Sequence, residues 1–223
     1  MKRRFEFITF DCYGTLIDWR EGIGSAFERA AAREGRRVDR DCVLAAYAEI
    51  EPVVQAGDYA TYAEVLRRTA LRVARKLDWP LEDDAARFLA TSLPRWPAFA
   101  DVEPALRRLS GAGHRLGILS NVDDDLLSAT LSHLGVSFDL LVTAQQVRSY
   151  KPARGHFDAA RERIGRASWL HAAQSRFHDV EPAARLGIPV AWINRNGEPA
   201  GEGARPDLEL PTVGALADEL CRG

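Results

Sequence analysis

The chain has 223 residues, of which 46% are hydrophobic and 28% charged, with a formal net charge of −2. That length suits one large domain, or a core carrying a smaller insertion, with enough apolar residues to bury a sizeable interior. Near-balanced charge of both signs excludes a bulk field that would recruit nucleic acid or an acidic membrane surface, and no run of about 18 apolar residues is present to span a bilayer.

The N-terminal Met1-Lys2-Arg3-Arg4 is basic, but a strand-like pattern and then an Asp follow it, not a secretory apolar region, so a cytoplasmic location is expected. Phe5 to Phe10 reads as a buried parallel strand. From about 20 to 95 the pattern is helix after helix: Gly24–Gly35, Arg40–Gln55, Tyr59–Leu77 and Leu81–Ser92, punctuated by Gly57-Asp58 and Trp79-Pro80. Strand-like runs then return at Arg115–Leu119, Phe138–Val142, Ser168–Ala172 and Pro189–Ile193. They alternate with helical patterns at about 103–111, 123–134, 154–164 and 179–186. Strand then helix, repeated, predicts an α/β fold: a Rossmann-like parallel sheet flanked by helices. Residues 1–18 and 95–223 form its core. Residues 19–94 are an inserted all-helical cap over the C-terminal strand ends, where open parallel sheets bind ligands. Cys12, Cys42 and Cys221 give neither a disulfide framework nor a metal-binding pair; Cys12 is expected buried, facing away from Asp11.

Asp11 directly follows the first strand, and Gly14-Thr15 permit a tight turn behind it. A carboxylate there can attack an electrophile, although an Asp capping a turn has the same appearance. Ser120-Asn121 end the second strand and can donate hydrogen bonds to an anionic group, or simply cap the next helix. Lys151 is kept out of a helix by Pro152 and can neutralise charge beside Asp11; a solvated surface Lys is the alternative. Asp179 lies after the fourth strand, where it can orient water or start a helix.

Together, Asp11-Cys12-Tyr13-Gly14-Thr15-Leu16, Ser120-Asn121, Lys151-Pro152 and the stretch Gln174 to Asp179 resemble, in order and spacing, the four motifs of the haloacid dehalogenase superfamily. The resemblance covers nearly the whole chain, and the helical insertion looks like that family's first type of cap. It implies that Asp11 is the nucleophile, that Lys151 and Asp179 are its catalytic partners, and that Thr15 and Ser120 bind the substrate's anionic group. Tyr13, Asn121 and Ser175 complete the implied substrate-binding set.

Phosphatases of this superfamily need a second Asp two residues after the nucleophile to protonate a departing alkoxide. Here that residue is Tyr13, a phenol with an ordinary pKa of about 10. A halide leaves as a stable anion and needs no proton. Gln174 stands where the family's leading Mg²⁺-binding acid falls, which weakens a Mg²⁺ site. Tyr13 is also what the family's (S)-2-haloacid dehalogenases carry. The expectation is therefore metal-free, cofactor-free hydrolysis of a short 2-haloacid through an aspartyl ester, with a Mg²⁺-dependent phosphatase and a non-catalytic binding protein as alternatives. The expected partner is a small anionic substrate, with a homodimer through the apolar cap helices possible. The family's halide-binding cap Arg falls near Ala46; Arg67, Arg68 or Arg72 could replace it. Trp19, Tyr47, Tyr62, Trp96 and Phe177 could line an apolar pocket. His178 could act as a base but is expected in a supporting role, and no zinc is expected at His156 or His171.

Overall fold

A computed structural model of the protein describes residues 5–222; the basic run Met1–Arg4 lies outside the described residues. Six parallel strands form one sheet in the order β3-β2-β1-β4-β5-β6. They are β1 (Phe7–Phe10), β2 (Arg115–Ser120), β3 (Leu140–Thr143), β4 (Trp169–Ala173), β5 (Val190–Ile193) and β6 (Leu208–Leu210). All four residues of β1 are buried, as a central strand covered on both faces requires. Side chains alternate between the faces: Ile8 and Phe10 join the larger apolar cluster, while Phe7 packs with Leu119, Trp169 and Trp192 on the other side.

The helices on the sheet are α5 (Val102–Gly111), α6 (Asp124–Leu131), α7 (Ala144–Val147), α8 (Gly155–Ile164), α9 (Glu181–Arg185) and α10 (Val213–Cys221). Between β1 and α5 run α1 (Trp19–Arg33), α2 (Arg40–Gln55), α3 (Tyr62–Lys76) and α4 (Phe88–Ser92), the last flanked by short 3₁₀ turns. The single helix expected at 81–92 is broken: Asp83-Asp84 favour caps and turns over helix interior. The helix expected at 179–186 begins instead with a π-helical turn, Arg176–Val180. β6, α7 and α10 add to the predicted elements.

The chain leaves and re-enters the sheet layer at one place: Ile17 bridges Ala98, Asp18 N–H donates to Pro97 O, and Phe99 N–H donates to Leu16 O. The start of α3 is tied across to the loop after β2, where Asp123 accepts from the N–H groups of both Tyr62 and Ala63 at 2.9 and 2.8 Å. A carboxylate at a helix N-terminus satisfies two orphan donors and complements the helix dipole. These contacts set α2 and α3 over the C-terminal ends of β1, β2 and β4.

Candidate active site

The four motifs converge at those strand ends. Gly14, at φ 103°, turns the chain sharply after Asp11; a Cβ there would press on the Trp19 ring and the Gln174 amide at 3.3–3.4 Å. Lys151 reaches the centre of the site with only 1% of its side chain exposed. Its ammonium donates to Asp11 Oδ1 at 2.9 Å, Asp179 Oδ1 at 2.6 Å and Leu119 O at 2.8 Å, using all three protons. Asn121 holds it there: its side chain accepts from Lys151 N–H and donates to Lys151 O. The far carboxylate is fixed by His171, whose Nε2 lies 2.9 Å from Asp179 Oδ1 and whose Nδ1 lies 2.9 Å from Thr9 Oγ1.

The electrostatics follow from this burial. Burial pushes the Asp11 carboxyl above the ordinary carboxylate range; Lys151 pulls it back and Asp179 pushes it further up. Burial acts the same way on Asp179, but there the Lys151 ammonium and the His171 hydrogen bond win, and its carboxyl sits below the ordinary range. Burial disfavours the Lys151 ammonium, yet the two carboxylates hold its pKa above the ordinary value. The outcome is one buried carboxylate of raised basicity beside a second, firmly ionised one.

The expected substrate-binding residues divide. Ser120 is fully buried and its hydroxyl has no hydrogen-bond partner among the described residues, although it lines the cavity in front of Asp11. Tyr13 and Ser175 also line it, as does Asn121. Thr15 differs from the expectation: its hydroxyl donates to Asp11 Oδ2 at 2.8 Å, accepts from Gln174 N–H at 2.9 Å, and the residue does not line the cavity. It fixes the orientation of the Asp11 carboxylate. Tyr13 OH lies 2.9 Å from Thr130 Oγ1, and burial pushes its phenol well above the ordinary value, so it is no general base. Cys12 is buried with its thiol pushed up, consistent with packing rather than chemistry.

The cavity measures about 260 Å³. Trp19, Tyr47, Tyr62 and Trp96 line it, whereas Phe177 is 63% exposed and points elsewhere. None of Arg67, Arg68 and Arg72 lines it. Arg67 pairs with Glu64 and Asp83, Arg68 pairs with Glu64, and Arg72 is exposed. The wall supplied by α2 consists of Tyr47, Ala48, Glu51, Pro52 and Gln55, one face of the helix. Glu51 is the residue sequence reasoning missed: a Glu on an amphipathic helix ordinarily faces water. His178 was expected in support, yet it lines the cavity. Its Nδ1 is 3.0 Å from Ser175 Oγ, and burial lowers its pKa so that the ring is neutral at physiological pH.

A Mg²⁺ ion fits these residues poorly. Oδ1 of Asp11 and Oδ1 of Asp179 both face the Lys151 ammonium, Asp11 Oδ2 accepts from Thr15, and Gln174 replaces an acid. Among the described residues no cluster of three or more His, Cys, Asp or Glu side chains is arranged to hold a metal.

Residues 5–201 match the family model of haloacid dehalogenase-like hydrolases, and the chain belongs to that family of hydrolases. It is 30% identical over 219 residues to an (S)-2-haloacid dehalogenase of Pseudomonas sp. (strain YL), covering 95% of this chain and 92% of that one. It is 28% identical over 222 residues to the haloacetate dehalogenase H-2 of Moraxella sp. (strain B), covering 96% and 97%. In fold it is similar to the L-2-haloacid dehalogenase of Xanthobacter autotrophicus solved with chloropropionic acid covalently bound. The TM-score is 0.81 at 21% identity, covering 98% of this chain and 99% of that one.

Proposed function

We propose that the protein hydrolyses the carbon–halogen bond of a small 2-haloalkanoic acid without a metal or cofactor, and that residues 19–94 act as a cap closing over the site. The observation that carries this reading is Tyr13. At the position where phosphoryl chemistry needs a carboxylic acid, the chain has a phenol tied to Thr130 with its pKa pushed up. A leaving group that departs as a stable anion requires no proton there. Dehalogenation is also what the relatives' names describe.

In the first step Asp11 Oδ1 or Oδ2 forms a bond to C2 of the acid while the carbon–halogen bond breaks and halide leaves. Lys151 and Thr15 hold the attacking carboxylate, and the open hydroxyl of Ser120 receives the substrate carboxylate. In the second step water adds to the Asp11 ester carbonyl, the bond between Cγ and the alkoxy oxygen breaks, and the 2-hydroxy acid is released. Asp179 Oδ2, which has no partner among the described residues, orients that water, and neutral His178 takes its proton and returns it to the departing alkoxide. Halide release from 2-chloropropionate or bromoacetate with a chelator present tests the reading, and Asp11→Asn is expected to abolish it. Turnover of phosphate monoesters that needs Mg²⁺, with no halide released from any 2-haloacid, would replace it with the phosphatase alternative.

A further inference from the structure

Glu51 presents a carboxyl group that the fold does not explain. The residue is 9% exposed, lies on the cavity wall, and makes no ion pair among the described residues. Both of its described hydrogen bonds, from the Gln55 amide and from Tyr62 OH at 3.4 Å, land on Oε1, and none reaches Oε2. Among the described residues, the one Lys or Arg lining the cavity is Lys151, whose three protons are already taken. An acid buried without a counter-ion costs stability, and at a cavity wall such a group is a functional candidate. Burial raises its pKa to about 7, so near neutral pH it accepts a proton or a cation readily.

A second acceptor stands beside it. Pro52, one residue on, has no N–H to give the carbonyl of Ala48, so that oxygen lacks its helical donor on the same cavity face. The α2 wall of the cavity thus carries a carboxyl group without an ion pair among the described residues and, on the neighbouring turn, a carbonyl without its helical donor, near where a cationic halide cradle was expected. At the other end, the buried Ser120 hydroxyl awaits an acceptor.

We propose that the cavity recognises a substrate with two charged ends, a carboxylate received at Ser120 and an ammonium received by Glu51 and the Ala48 carbonyl. The substrate class is then a 2-halo acid with a terminal amine. This rests on the cavity being the substrate site, and it sets specificity beyond the reaction type.

The test is calorimetric binding of unreactive ligands, which needs no turnover. The ω-amino acids from 3-aminopropanoate to 6-aminohexanoate are each compared with the fatty acid of equal heavy-atom count. At least one amino acid is expected to bind about tenfold or more tightly than its partner, the gain of one desolvated charged hydrogen bond. Glu51→Gln should remove that preference, and Tyr62→Phe, which keeps the carboxyl, should retain it. Equal or weaker binding of every amino acid, or a preference that survives Glu51→Gln, overturns the proposal. The wild-type comparison decides even if a variant does not fold. Amine preference without halide release would sink the dehalogenation reading alone; halide release from 2-chloropropionate without amine preference would sink only this one.

Discussion

At the scale of single residues, the site is one cation shared between two buried carboxylates. Removing the cation leaves both charges unsolvated, so Lys151→Met should destabilise the fold by about 3–5 kcal/mol in denaturant titration and abolish halide release. Glu51 gives a separate signature. Its folded pKa of about 7 lies above its ordinary 4.5, so the native state binds the proton more tightly than the unfolded chain. Its contribution is fully present below the unfolded value and is lost as pH rises through about 7. Urea unfolding of wild type against Glu51→Gln should show the wild type losing about 2–3 kcal/mol relative to the variant between about pH 5 and pH 8. A difference independent of pH would mean that Glu51 is not buried as described.

At the scale of elements, the cavity depends on how closely α1 approaches the segment returning from α4. Gly22 of α1 lies against the Trp96 indole, and a Cβ there would sit 2.2–2.6 Å from three ring atoms. Trp96 lines the cavity and meets Tyr13 edge to face at 5.9 Å. Gly22→Ala must therefore move a catalytic-pocket wall. The expected outcome is about 1–3 kcal/mol of destabilisation from overpacking, with a rise in KM for 2-haloacids larger than the fall in kcat. Elements also show what the sequence made legible. β1 to β5 declare themselves as apolar runs, and the motif residues after β1, β2, β3 and β4 follow. α10 had a signal too, Thr212 as N-cap before Val213, Leu216 and Ala217. β6 has three residues with one exposed, too short for periodicity to register.

At the scale of the whole molecule, the parallel order brings Asp11, Ser120 and Asp179 to adjacent strand ends, and Lys151 enters from beyond β3 to join them. Order and spacing in the sequence were sufficient for that much. They could not show that Thr15 faces Asp11, that Arg67 and Arg68 pair on the outside, or that Glu51 turns inward. The first depends on the turn at Gly14, and the other two on helix rotation against a distant layer: Glu51 is buried by Tyr62 of α3, which Asp123 anchors. The same arrangement places the aromatic residues Trp19, Tyr47, Tyr62 and Trp96 on the wall of the cavity that Asp11 lines.

The central claim is that Asp11 attacks carbon and that water later attacks Asp11. A single turnover of 2-chloropropionate in ¹⁸O-water, with excess enzyme and chelator, separates the two oxygens. The account predicts unlabelled 2-hydroxypropionate and ¹⁸O in the peptide bearing Asp11, because the product oxygen comes from the carboxylate. Label in the first-turnover product with none at Asp11 would contradict it, since water would then have displaced the halide directly.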